Sequence, residues 1–331
     1  MKALVYNGVE TLDYQDMPDP VAAPGQHLVR IDAVGICGSD MHAYLGHDSR
    51  RPAPLILGHE AAGAIVGGPR DGERVTINPL VACGTCRACT EGRDNLCPDR
   101  KIISLPPREG GFAQFVAMAD ANLIPVPDHV SAAKAALAEP LACGWHTVRL
   151  SLAALHGDAA QTLVLGGGAI GLGAALCLMA QGGGAVTIVE PNATRRTFLR
   201  VQFDLNVIDP SDLAEDAMFD LVIDAVGYAA TRATASRHAR PGGVIGHIGL
   251  GEDTGGLDIR RMTLQEITFI CTYTYTAQDF RDTAAAIFDG SLGSLAWTEQ
   301  RALKDGAQAF KDIRSGVVAA PKIILIPDHG A

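Results

Sequence analysis

The run Thr162-Leu163-Val164-Leu165-Gly166-Gly167-Gly168-Ala169-Ile170-Gly171 decides how the whole chain is read. A short apolar stretch meets the pattern G-x-G-x-x-G, and an Ala- and Leu-rich stretch continues from Ala169 to Gln181. The first part has the length of a strand and the last that of a helix, so the glycines lie on a strand–turn–helix unit. Gly166 permits the tight turn. Gly168 lets a pyrophosphate approach the backbone with no Cβ in the way, and Gly171, after Ile170, lets helix and strand pack closely. The helix start presents free N–H groups and a partial positive charge to phosphate. Alone the pattern is weak, since a glycine-rich turn can bind nothing. A second feature strengthens it. Glu190 follows the next apolar run, Ala185–Val189, where a carboxylate accepts from the adenosine ribose hydroxyls and repels a 2′-phosphate. NAD is therefore expected ahead of NADP. Arg195 and Arg196 come soon after; a solvated helix face is their first reading and contact with the cofactor, by Arg195, the second.

Working outward, apolar runs recur at Leu221–Ile223, Val244–Ile248 and Ile267–Thr272, with a helical pattern over Ala229–Ala239. Short buried strands alternating with helices predict a parallel, doubly wound α/β sheet. The last of these runs should form a sheet edge. Before this region the texture differs. Lys2–Tyr6, His27–Val34, Ala61–Val66 and Arg74–Ile77 read as short strands broken by Gly and Pro, as in an all-β unit. No stretch of helix length and period precedes Ala132. Beyond the parallel unit, Ala277–Phe288 and Ala307–Ile313 read as helices and Lys322–Ile326 as a closing strand.

The chain has 331 residues, 47% hydrophobic and 19% charged, with a formal net charge of −10. That length accommodates two cores. The negative balance argues against nucleic acid as a partner, because phosphate backbones require clustered Lys and Arg. The apolar runs are too short to span a bilayer, and the N-terminus reads as a strand rather than a signal peptide. No membrane association and a cytoplasmic setting are expected.

Four of the eight cysteines, Cys83, Cys86, Cys89 and Cys97, fall on one loop with spacing C-x2-C-x2-C-x7-C. Four thiolates so placed suit a closed tetrahedral zinc site better than a disulfide framework. Cys37, Cys143, Cys177 and Cys271 are scattered.

The cysteine loop, Cys37-Gly38-Ser39-Asp40-Met41-His42, Gly58-His59-Glu60, Glu139-Pro140-Leu141 and the glycine loop occur in an order that resembles the medium-chain zinc-dependent alcohol and polyol dehydrogenases, with Glu139 pointing to the sorbitol-type branch. The resemblance covers essentially the whole chain. It implies a GroES-like catalytic β domain over 1–143, with the zinc lobe at 83–97, a Rossmann NAD-binding domain over 144–273, and a return to the catalytic domain over 274–331. It further implies two zinc ions per chain. Cys37 and His59 would hold the catalytic one, with Glu60 or Glu139 as third ligand and the other carboxylate beside a water; Cys143 is a weaker alternative. A zinc with an open position acts as a Lewis acid on an alcohol oxygen, hydride passes to the nicotinamide, and Ser39 and His42 would carry the proton outward. Asp40 would orient the ring of His59. Cofactor contacts would come from Gly166, Gly168, Ile170, Gly171, Glu190 and Arg195.

Glu139 and the Gly38-Ser39-Asp40 block lean towards a secondary alcohol on a polyol or polyol phosphate. Tyr44 is expected at the start of the pocket. In the loop holding His47 and Asp48, Arg50 or Arg51 could grip an anion, a solvated loop being the plainer reading. The alternatives are a threonine-type or general alcohol dehydrogenase, and a non-catalytic zinc-binding module. A homodimer or homotetramer is expected.

Overall fold

The structure is a computed structural model that describes residues 1–330. Its N-terminal part is antiparallel. Gln26–Gly35 is the hub of a seven-stranded sheet, paired with Glu60–Val66 on one side and Lys322–Ile326 on the other, while Phe115–Ala119 also pairs with it. Arg74–Ile77 and Leu123–Pro125 extend one end of the sheet and Thr298–Ala302 the other. Val29, Ile31 and Val34 are wholly buried in one apolar cluster and Ala33 in another, the two faces of the strand changing phase at a register shift between Ile31 and Ala33.

A second sheet of six strands is parallel throughout, in the order Asn206–Ile208, Ala185–Val189, Gln161–Leu165, Phe219–Asp224, Ala239–His247, Thr268–Cys271. The chain reverses direction across the sheet between Gln161–Leu165 and Phe219–Asp224, which opens a crevice at their carboxyl ends. Thr268–Cys271 does lie at the sheet edge. The GroES-like β unit and the Rossmann-type sheet expected from the sequence are both present.

One apolar cluster joins the two halves, running from Ala33 and Ala62 through Leu141, Leu172 and Val244 to Ile324. A second fills the antiparallel part and a third covers the other face of the parallel sheet. No stretch of helix length and period precedes Ala132, yet Gly38–Tyr44 and Arg87–Thr90 form short helices there. The longest helix, Ala138–Ala154, carries no clear polar face because much of it is buried. None of the described helices is long and apolar enough to cross a membrane.

Candidate active site and metal centres

Cys37 sits at the N-cap of the helix Gly38–Tyr44, directly after the hub strand. Asp40 ties this helix start to Gly58 and His59. Its Oδ2 accepts from the Cys37 N–H at 3.0 Å, its Oδ1 accepts from the Gly58 N–H at 3.2 Å, and the same Oδ1 lies 3.5 Å from His59 Nδ1. Ser104 Oγ is a second neighbour of Nδ1, at 3.3 Å. Burial opposes charge on His59, yet Asp40 and Cys37 together outweigh it and raise the imidazole pKa well above its ordinary value. The ligand atoms of Cys37, His59 and Glu60 come within 4.8 Å of one another.

Glu60 opens its strand directly opposite Gly35. A Cβ on Gly35 would stand 2.1 Å from Glu60 Oε2, so only glycine leaves room for this carboxylate. Oε1 accepts from Lys322 Nζ at 2.6 Å, while Oε2 is buried with no partner. Lys322 is 4% exposed and also donates to the Ile36 carbonyl at 2.9 Å. Burial works against its ammonium, but Glu60, Cys37 and Glu139 together outweigh it and raise its pKa. An orphaned carboxylate oxygen beside a thiol and an imidazole is the donor set that a borderline-soft divalent metal takes. The residues present therefore fit zinc.

Glu139 lies in the first turn of the helix Ala138–Ala154 and stands outside that tight trio. Its Oε1 accepts from the Tyr275 hydroxyl at 2.7 Å. Burial raises its pKa, and the charge of Glu60 adds to the effect. Cys143 is also pushed well up, by burial first and then by Glu139.

At the crevice of the parallel sheet, Gly166 has φ +96°, and a Cβ on Gly171 would meet the Gly166 carbonyl oxygen at 1.9 Å. Nothing lies within 4 Å of a Cβ placed on Gly168, which caps the helix Ala169–Ala180; Ile170 is in the first turn. Glu190 is stitched to the loop, accepting from the Gly167 N–H through Oε2 and from the Asn192 N–H through Oε1, both at 2.8 Å. Arg196 is committed to the Glu190 and Pro191 carbonyls and to Asp209. Arg195 is not: its Nε is buried without a partner. Of the two arginines expected on a solvated helix face, Arg196 is instead paired. The open cradle over Gly168 and the unpartnered guanidinium fit a dinucleotide.

The sulfur atoms of Cys83, Cys86, Cys89 and Cys97 also lie within 4.8 Å of one another, and none of the eight cysteines is in a disulfide. N–H groups of Thr85 and Cys86 stabilise the Cys83 thiolate and lower its pKa to about 6. Burial and the neighbouring thiols push Cys89 up to about 12. Such proton sharing among crowded thiols resolves when a cation takes the protons' place.

Ser39 is half-buried and His42 exposed, three residues apart on one helix. Tyr44 does not open onto the candidate site: it is 2% exposed, packs against Phe310, and lines a separate surface cavity with Glu10, Lys311 and Arg314. Arg51 is not available to an anion, being buried and bonded to Asp48 and the Ser104 carbonyl. Arg50 is exposed but paired with the same Asp48. Burial opposes charge on Asp48, but the bonds from Arg50 and the charge of Arg51 bring its pKa down to about 2. Lys322, Tyr275 and Ser104 escaped the sequence reading. A lysine heading an otherwise apolar strand was the available sign of the first; the others had none.

Residues 23–128 match the family described as alcohol dehydrogenase GroES-like domain, and residues 169–289 that described as zinc-binding dehydrogenase. The chain is 30% identical to the L-galactonate-5-dehydrogenase of Escherichia coli strain K12, over 88% of each chain. It is 34% identical to a sorbitol dehydrogenase of Bacillus subtilis strain 168, over 76% of this chain and 75% of that one. Among solved structures, the acetophenone reductase of Geotrichum candidum in complex with NAD is similar with a TM-score of 0.86 and 26% identity, covering 98% of this chain and 96% of the other.

Proposed function

The chain belongs to the zinc-dependent medium-chain alcohol and polyol dehydrogenases, and from that premise we propose that it oxidises a secondary hydroxyl of a small polyol, or of its phosphate or acid, with NAD. The observation that carries this reading is the trio of half-buried Cys37 with buried His59 and Glu60, in which Glu60 Oε2 is unpartnered and a second buried carboxylate, Glu139, feels the charge of Glu60. A substrate with several hydroxyls satisfies such polar groups, whereas a simple primary alcohol strands them. The names of the two curated relatives, a sorbitol and an L-galactonate dehydrogenase, support the same class.

When bound, zinc at this site supplies Lewis-acid polarisation of a hydroxyl oxygen and the dinucleotide supplies the hydride acceptor. The residues do the rest. Asp40 and Ser104 occupy His59 Nδ1 and leave Nε2 for the metal. Lys322 balances the charge of Glu60. Glu139 orients water or a substrate hydroxyl. Ser39 and then His42 take the released proton towards solvent. Gly166, Gly168, Ile170 and Gly171 seat the pyrophosphate, Glu190 the ribose, and Arg195 the adenosine side. Cys83, Cys86, Cys89 and Cys97 hold a second zinc that contributes to folding. We further propose a homo-oligomer and, from eight unpaired cysteines, a reducing cytoplasmic setting.

The test is a panel of sorbitol, xylitol, a hexitol phosphate, L-galactonate, 2,3-butanediol, threonine and ethanol with NAD and NADP, read by nicotinamide absorbance. Turnover with one of the polyols or its acidic derivatives and NAD is expected. A preference for ethanol refutes the polyol reading, activity on threonine alone moves the chain to an amino-acid branch, and a kcat/KM for NADP at or above that for NAD removes the role given to Glu190.

A further inference from the structure

The segment Tyr273–Ala277 links the edge strand Thr268–Cys271 to the helix Ala277–Phe288, and the cysteine lobe holds it at both ends. Asn95, 3% exposed, donates from Nδ2 to the Tyr273 carbonyl at 2.8 Å. Asp94 accepts from the Ala277 N–H through its two carboxylate oxygens, at 2.9 and 3.2 Å. Arg100 lies over the Tyr273 ring, 4.9 Å from its centroid. Asp94 and Asn95 share one short 3-10 turn between Cys89 and Cys97.

Between these two holds the backbone is strained. Thr274 has φ +46°, and a β-branched residue keeps such a conformation only where its surroundings fix it. Its Oγ1 is buried without a partner, so no bond of its own side chain accounts for the turn. The turn delivers Tyr275 to the interior. That side chain is 2% exposed, packs on Phe280, and gives its hydroxyl to Glu139. Glu139 has three side-chain torsions, and a bond from a rigid phenol selects one arrangement among them.

We propose that Asp94 and Asn95 are positioning residues of the substrate pocket: by clamping the Tyr273–Ala277 turn they fix the Tyr275 hydroxyl on Glu139. The cysteine lobe then sets the place of a pocket carboxylate in addition to contributing to folding. This rests on the reading of Glu139 as a site group.

The experiment compares zinc-loaded wild type with N95A, D94A, D94N, Y275F, N95A/Y275F and E139Q, recording kcat, KM for substrate and NAD, zinc per chain and the unfolding midpoint. Y275F and N95A should each lower kcat by about tenfold, as expected for losing a charge-assisted bond or its support. KM for NAD and zinc content should stay unchanged. The double variant should be no slower than Y275F alone, because both changes act through one contact. D94A should act like N95A, and D94N, which keeps an acceptor oxygen, should recover most of the activity. If N95A does not fold, N95D keeps its shape, removes the donor and takes its place. Losses that multiply in the double variant, or an unchanged kcat in folded N95A, overturn the proposal while E139Q remains impaired. A fully active E139Q instead overturns the reading of Glu139 and the proposal with it.

Discussion

Gly35 shows how much one hydrogen atom in place of a side chain can decide. Its φ is ordinary, so its necessity is purely steric: the Glu60 carboxylate occupies the space of a Cβ. Gly35→Ala should push Glu60 off both Lys322 and its neighbours Cys37 and His59. Overpacking of this kind costs about 1–3 kcal/mol, and the functional loss should exceed the structural one. The expected outcome is a folded protein that loses one zinc equivalent, keeps the cysteine-lobe zinc, binds NAD, and turns over at least about a hundredfold more slowly. Metal analysis beside kcat checks this, and full zinc content would refute it. The blocks holding Cys37, His59, Glu60 and Glu139 stood out through their resemblance to a family's motifs, and of these the fold brings Cys37, His59 and Glu60 together. Gly35 and Lys322 did not stand out, because what they do depends on a pairing across sheets: Lys322 reaches Glu60 over 262 positions of sequence.

At the scale of elements, the helices Ala138–Ala154 and Ala277–Phe288 are joined by a polar network around buried Asp279, and the first turn of the former carries Glu139. Asp279 accepts from Arg149 Nε at 2.7 Å and Thr276 Oγ1 at 2.6 Å, and lies 2.8 Å from His146 Nδ1. Burial alone would raise the Asp279 carboxyl, but these partners hold it well below the usual carboxylate range. A depressed folded value means stabilisation that is present above the unfolded value, about pH 4, and lost as pH falls towards the folded one. Asp279→Asn should therefore lower the unfolding free energy by about 2–3 kcal/mol at neutral pH. The gap between wild type and variant should hold down to about pH 5 and narrow below pH 4. Urea titrations across that range test it, and a gap that widens on acidification would contradict the assignment. The sequence showed the second helix clearly but not the first. Ala138–Ala154 carries Pro140 in its first turn, where no intrahelical N–H is needed, and its buried sides leave no periodic stripe. Gly38–Tyr44 was missed for another reason: its seven residues, GSDMHAY, hold too few turns for a period to show.

At the scale of the whole molecule, the Cys37–His59–Glu60 trio lies at the antiparallel sheet and the glycine loop at the carboxyl end of a strand of the parallel one. The parallel sheet was readable because each strand and its helix are neighbours in sequence. The return of Lys322–Ile326 to the first unit followed from the family resemblance alone, and its pairing with the hub strand was not readable, since only tertiary pairing joins residues that far apart. One feature of this architecture is unfinished in a single chain. Thr268–Cys271 is the last strand of the parallel sheet; Thr268 and Cys271 are exposed, and Phe269 and Ile270 only half-buried. Its free edge leaves backbone donors and acceptors without a partner strand, a template for pairing that isolated proteins block with charge, proline or a covering loop. No charged or proline residue lies in this strand. Two copies meeting edge to edge about a two-fold axis would continue the sheet across both chains, with each copy presenting the same surface. Light scattering at micromolar concentration should then give a dimer or a tetramer built from it. Placing lysines at the two exposed positions, T268K/C271K, should shift the population towards monomer through like-charge repulsion across the axis, while circular dichroism and NAD binding remain those of a folded chain. A wild type that is already monomeric, or a double-lysine variant whose mass in solution does not change, would remove this edge as the interface.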